Sequence, residues 1–293
     1  MKDFPLPVRM VGPDSQPAEN DALQYLEMPR GMNTFRMPMV PERADASALA
    51  DARDLLAAFL ELLEAWDPAG ARQGPRLDLA GIAAPVQEIV NQMLGEGEVS
   101  IRIDGARRFR IQESVFTGLW RVCELDGDGN LAGDWLEAGM LPEVAVEIAK
   151  DAGQAAPPRI DMPEGAMNSP ALVAEIGSQM ASRGSSDRAH VINLTLFPMT
   201  PDDHAVLTQA LPVGPVAMIS RGFGNCHVTS TGLRDVWRVQ YFNNMNTLIL
   251  NTIEVVDVPD VVLAAVEDLT DTRDRLADLV RWMAESCVGE TAN

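Results

Sequence analysis

The chain has 293 residues, 46% of them hydrophobic, which is enough to fill a sizeable core in one large domain or two of ordinary size. Its 43 acidic against 23 basic side chains give a formal net charge of -20, which repels phosphate backbones and anionic head groups, so neither nucleic acid nor a membrane surface is expected as a partner. Cys123, Cys226 and Cys287 are odd in number and widely spaced, which excludes a disulfide framework and shows no Cys/His pattern of metal-site type.

The opening stretch, MKDFPLPVRMVGPDSQ, has no apolar run of signal-peptide length. No segment approaches the roughly eighteen uninterrupted apolar residues that a membrane span needs. A cytoplasmic location is therefore expected. Residues 1–45 are rich in Met and Pro, and Pro29, Pro38 and Pro41 break any helix or central strand, so this stretch reads as an extended arm. Met28, Met32, Phe35, Met37 and Met39 would give that arm adaptable apolar contacts for a partner. From residue 46 to 66 the apolar spacing of three and four predicts an amphipathic helix, stopped by Asp67, Pro68 and Gly70.

Beyond that helix the chain repeats itself. Shifted by 117 residues without a gap, Leu77 and Leu79 fall on Leu194 and Leu196, Gly97 and Val99 on Gly214 and Val216, and Gly105 on Gly222. Trp120, Arg121 and Val122 fall on Trp237, Arg238 and Val239, Glu137 on Glu254, and Pro142 on Pro259. Identity is about one position in five, but most of the remainder is apolar on apolar, as a shared core requires.

Each copy predicts a short strand (77–80; 191–197), a helix (85–94; 201–211) and four β-rich segments, at 98–104, 107–113, 118–124 and 134–138 and at 215–221, 225–231, 235–242 and 247–256. The turns at 126–130 and 243–246 occupy the same place in both. A helix over 167–184 precedes the second copy, a linker spans 152–166, and an amphipathic helix runs from Leu269 to Cys287. The expected fold is α+β: two pseudo-twofold-related α/β repeats (46–151 and 167–293), each a mostly antiparallel sheet with helices packed on one side. Whether the two sheets join stays open.

If duplication supplies the scaffold, positions where the copies differ are the better functional candidates. The sharpest divergence is SRGFGNCHVTST at 220–231, where Gly222, Phe223, Gly224, Asn225, Cys226 and His227 replace an ordinary charged strand. The glycines permit a tight turn or close approach by another chain, and they put Cys226 at the start of a strand, near a surface. Adjacent Cys226 and His227 would point to opposite faces and so do not form a catalytic dyad. Cys226 reads either as a small buried residue standing where the first copy has Phe109 or as a thiolate and candidate metal ligand. Further on, Trp237, Val239 and Tyr241 alternate with Arg238 and Gln240; an Arg238–Glu254 pair, mirrored by Arg121 and Glu137, would explain why both copies keep these residues. Arg238 and Asn243 complete the candidate partner-binding set.

Residues 219–269 carry Gly222, Gly224, Asn225, Cys226, Ser230, Thr231, Trp237, Tyr241, Phe242, Asn243, Asn251, Thr252 and Glu254, and this block resembles the carboxy-terminal signature of the hydrogenase expression/formation proteins of HupH/HyaF type. Phe223 stands where Tyr is commoner and His227 where Arg is expected. The resemblance extends more loosely to the Met/Pro arm. It implies a chaperone-like accessory role in making [NiFe] hydrogenases, without cofactor or catalytic residues. The implied partner is a hydrogenase subunit precursor, foremost the iron-sulfur small subunit, with the large subunit and other maturation proteins as further candidates. The alternative is a nickel or iron-sulfur handling protein that uses Cys226. No nucleophile elbow, phosphate loop or HExxH pattern supports a free-standing hydrolase.

Overall fold

A computed structural model describes residues 46–69, 74–184, 188–222 and 224–290, without the side chains of 286–290. The arm bearing Met28, Met32, Phe35, Met37 and Met39, and Phe223 with it, lie outside the described residues. The first repeat contributes α1 (Ala46–Glu64), β1 (Arg76–Asp78), α2 (Ala84–Leu94), β2 (Val99–Ile103), β3 (Arg108–Glu113), β4 (Leu119–Leu125), β5 (Leu131–Ala138) and α3 (Glu143–Ala152). The second contributes α4 (Ser169–Ser182), β6 (His190–Asn193), α5 (Pro201–Ala210), β7 (Val213–Ser220), β8 (Asn225–Thr231), β9 (Val236–Phe242) and β10 (Leu248–Val255), and α6 (Val266–Glu290) ends the described chain. Among the described residues, none of these helices is long and apolar enough to cross a membrane.

The strands form one antiparallel sheet of ten, in the order β1-β5-β4-β3-β2-β7-β8-β9-β10-β6. The two halves therefore join, through β2 and β7. At the junction Ile101 faces Met218, two residues at the same place in the repeat, and Val99 faces Ser220 as Ile103 faces Val216. The bonds at the ends of the junction also match: the Arg221 N–H donates to the Glu98 carbonyl at 3.1 Å, and the Asp104 N–H to the Pro215 carbonyl at 3.0 Å. Pairing two distant segments at the centre of a sheet leaves no local signal, because each strand is apolar toward its own half whether or not it has a neighbour.

Alternation along the strands gives the sheet two unlike faces. On the first, Val99, Ile101, Phe109, Ile111, Trp120 and Val122 merge with Val216, Met218, Cys226, Val228, Trp237 and Val239 into a single core. The helix α3 covers it with Val144, Ala145 and Ala149. Each buried tryptophan anchors its half in the same way. The indole of Trp120 donates to the Gly139 carbonyl at 2.9 Å, and that of Trp237 to the Val256 carbonyl at 3.1 Å, 117 residues further on. Glu113 and Ser230 likewise occupy one repeat position, and their side chains accept from the N–H groups of Val99 and Val216.

On the second face the core is divided. α1, α2 and α6 pack over Leu119, Leu136 and Ala138 of the first half. α4 and α5 pack over Ile192, Val236, Ile253 and Val255 of the second. Helices thus lie on both faces, which corrects the expectation of one covered side. The source of the difference is α3, whose Val144, Val146 and Ile148 fall at every second residue, an alternation that also reads as a strand. Pro142 before its start, Glu143 in its first turn and Lys150 in its last suit a helix and its dipole.

The segment expected as a strand over 191–197 is only half strand, since Leu194–Leu196 turns into a 3-10 helix that Asn193 caps through its bond from the Thr195 N–H.

Candidate functional site

The glycine-flanked segment forms the turn and outgoing strand of the β7–β8 hairpin. Gly224 has φ +95, a left-handed conformation that a side chain would strain, and Gly222 and Gly224 bridge each other across the turn. Cys226 and His227 do point to opposite faces. Cys226 lies opposite Tyr241 on the first face and is fully buried in the core. The sequence places it near a surface; the structure does not, because the strand enters the core at its first inward residue. Burial pushes the Cys226 thiol up to about 11 despite the neighbouring Tyr241 hydroxyl, away from the thiolate that nucleophilic or metal chemistry requires. Among the described residues no three His, Cys, Asp or Glu side chains converge as metal ligands.

His227, on the second face, stacks against Phe242 with ring centroids 4.7 Å apart, and burial holds its imidazole below the usual range. Asn225 lies opposite Phe242, half-buried. Asn243 sits in the β9–β10 turn, where its Oδ1 accepts from the N–H groups of Met245 and Thr247, each at 2.9 Å. Asp126 performs the same task in the first half, accepting from Asp128 and Asn130. Asn243 therefore has a structural occupation of its own.

The expected pair between Arg238 and Glu254 does not form. Arg238 lies opposite Ile253, and Glu254 opposite Trp237, so the two side chains are on different faces of the sheet. One step in register along a strand exchanges its faces. The mirror pair fails for the same reason. Arg121 instead holds Asp134, through Nε to Oδ1 at 2.8 Å and Nη2 to Oδ2 at 2.5 Å. Glu137 holds Arg76 at 2.9 Å and accepts from the Trp135 indole and the Glu143 N–H.

The second half keeps both charged residues and loses both of their partners. Where the first half has Asp134 the second has Asn251, and where it has Arg76 the second has Asn193. Arg238 is left with a buried Nε that no group among the described residues bonds, and the Oδ1 of Asn251 is likewise buried and unbonded. Burial pushes the Arg238 guanidinium down with nothing to offset it. At Arg121 burial acts in the same sense, but the bond and the charge of Asp134 outweigh it and the guanidinium is held above its ordinary value. Glu254 keeps one bond, from the Thr252 hydroxyl at 3.3 Å, and its carboxyl is pushed up by burial.

Arg238 sits on a strip of the second face that runs between the two groups of covering helices. Across the sheet, Arg110, Arg102, Ala217, Thr229 and Arg238 lie in one row of partners. Gln112, Ser100, Ile219, His227, Gln240 and Asn251 form the next. None of these side chains belongs to an apolar cluster, and all but Ser100 are half-buried. Asp104 bonds both Arg102 and Arg110 at one end of the strip. The strip brings His227 and Arg238 of the sequence-derived candidates together and leaves Cys226 on the far side of the sheet. Asn251 was missed, although the repeat marks it: an acid disappears at a position whose neighbouring arginine is retained.

The family described as HupH hydrogenase expression protein, C-terminal conserved region, matches the chain twice, over residues 49–161 and 166–283. The hydrogenase expression/formation protein HoxQ of Cupriavidus necator is 41% identical over 284 residues, covering 97% of this chain and 99% of that protein. HupH of Rhodobacter capsulatus is 39% identical over 96% of this chain and 98% of its own length. The hydrogenase-1 operon protein HyaF of Escherichia coli is 32% identical over 94% and 96%. With both halves matched and relatives aligned over nearly their whole length, the chain belongs to the family of HupH hydrogenase expression proteins.

Proposed function

We propose that this protein is a cytoplasmic, chaperone-like accessory factor of [NiFe]-hydrogenase maturation, a binding protein and not an enzyme, that holds a hydrogenase subunit precursor, foremost the iron-sulfur small subunit, before export or assembly. The observation that carries this reading is the near full-length similarity to proteins named for hydrogenase expression and formation, in both copies of the repeat. A protein with 43 acidic and 23 basic side chains suits a precursor with a basic segment, since opposite fields speed encounter.

The frame for binding is a duplication with 46–151 and 167–293 as its units, 152–166 between them, and a pseudo-twofold axis through the Ile101–Met218 pair. The matched registers and the repeated tryptophan bonds support this. The candidate contacts are the Met-rich arm, with Met28, Met32, Phe35, Met37 and Met39, and the sheet face carrying His227 and Arg238. A reading as a metal-handling protein gains no support from Cys226, which is fully buried and has its thiol pushed up.

The test is affinity isolation of the full-length chain, and of a chain lacking residues 1–42, from cells producing hydrogenase. The full chain is expected to recover a hydrogenase subunit precursor and the shortened chain to lose it while unfolding as cooperatively as before. Recovery of no hydrogenase subunit by the full chain would refute the reading.

A further inference from the structure

We propose that the strip of sheet between the two helical covers is a docking site for an acidic, extended polypeptide segment, one of whose carboxylates is received by Arg238. Two independent features point there. One is local: the guanidinium Nε of Arg238 is buried, and no group among the described residues bonds it. Leaving a buried charged donor unbonded is costly, so the Arg238 Nε calls for an acceptor from outside the chain.

The other feature is internal to the duplication. The first half shows what such an arginine does when it has no outside task, closing on Asp134 in a two-point ion pair. The second half has removed that carboxylate and kept the arginine. Asn251 fills the place of that carboxylate without its charge, so the guanidinium fork of Arg238 is left to match a carboxylate from outside.

Charge and shape say what kind of partner fits. The chain carries a net charge of -20, yet this strip presents Arg102, Arg110 and Arg238 against one carboxylate, Asp104. An acidic segment is drawn to it and repelled elsewhere. A sheet face offers side chains in rows across strands, which suits an extended chain with alternating acidic residues better than a single small anion. The inference relies on the reading of the chain as a binding protein only for where the segment comes from, and the site can be tested without any hydrogenase.

The probe is the fluorescently labelled peptide acetyl-Val-Glu-Val-Glu-Val-amide, titrated with the full-length protein at low salt, beside its Gln counterpart and with sodium acetate as competitor. The Glu peptide is expected to bind at least about tenfold more tightly than the Gln peptide, the least that one paired buried charge provides. Asn251→Asp, which gives Arg238 an internal partner like that of Arg121, should weaken the Glu peptide by at least about tenfold without lowering the unfolding temperature. Arg238→Gln should weaken it as much. Absence of binding, equal binding of the two peptides, or an Asn251→Asp protein that binds as tightly as the parent would overturn the proposal. So would acetate that competes as strongly as the peptide, since that would reveal a free-carboxylate pocket and no docking strip.

Discussion

The two halves of the sheet solve the same structural problem with different chemistry. In the first, Arg121 and Asp134 neutralise each other beneath the helices, and Glu137 is held by Arg76. In the second, Arg238 and Glu254 remain while both partners have become asparagine, at Asn251 and Asn193. The helices differ in the same spirit. Ala52 of α1 and Val86 of α2 meet in an apolar cluster. At the matching places Ser169 of α4 bonds Asp203 of α5, and that carboxylate also accepts from the N–H groups of Met167, Asn168 and Thr200. The first half thus closes the charges of its sheet on partners of its own. The second spends polar groups on holding its helices and leaves Arg238 without an internal carboxylate on its sheet.

The largest effect should come from making the first half like the second. Asp134→Asn leaves Arg121 as a buried cation without its partner, and denaturant unfolding should show a loss of roughly 3 kcal/mol. An unchanged midpoint would mean that the pair is idle and the contrast between the halves empty.

Next in size is Asp203→Ala, which strips four backbone donors and the Ser169 hydroxyl of their acceptor and should cost about 2 kcal/mol. Burial alone would raise the Asp203 carboxyl, but the bonds from Ser169, Thr200 and Asn168 outweigh it and hold it well below the usual carboxylate range. A depressed folded-state value contributes stability above the unfolded value near 3.8 and loses it as pH falls further. The stability gap between parent and Asp203→Ala should therefore be full at neutral pH and narrow progressively below about pH 4. A gap that widens on acidification would contradict the assignment.

Smaller, and equal in the two halves, should be Trp120→Phe and Trp237→Phe. Each loses an indole bond to a buried carbonyl and some packing, about 1–2 kcal/mol by thermal or chemical unfolding. A large inequality between them would break the equivalence of the two cores. The smallest effect has the opposite sign: Asn251→Asp should stabilise the chain by about 1 kcal/mol, because it restores to Arg238 the partner that Arg121 possesses.

Much of this architecture could be read from the residues, because the repeat reports every strand twice. The β8 span matches its sequence assignment, the β3, β4 and β9 spans differ from theirs by at most one residue at an end, and the turns at Asp126 and Asn243 lie where their side chains indicate. Three features could not be read. The junction of β2 with β7 is a contact between strands whose own patterns are satisfied without it. α3 places Val144, Val146 and Ile148 at every second residue, an alternation that reads equally as a strand.

The third is the pairing of Arg238, which turns on parity. A conserved spacing between Arg121 and Glu137, and between Arg238 and Glu254, looks like a salt bridge until the register puts the two side chains of each pair on opposite faces. The repeat alone shows that Asp134 becomes Asn251, and the register shows that the carboxylate lost there is the one that would have paired with Arg238.

The central claim is that the second half is the recognition half and that Arg238, lacking an internal carboxylate, is its focus. The most direct measurement compares the amount of hydrogenase subunit precursor recovered from cells by the full-length protein and by its Asn251→Asp variant at equal abundance. The account predicts a drop of at least about tenfold for the variant, the loss expected when a buried charge pair across an interface is replaced by one within the chain. Equal recovery by the two proteins would contradict it.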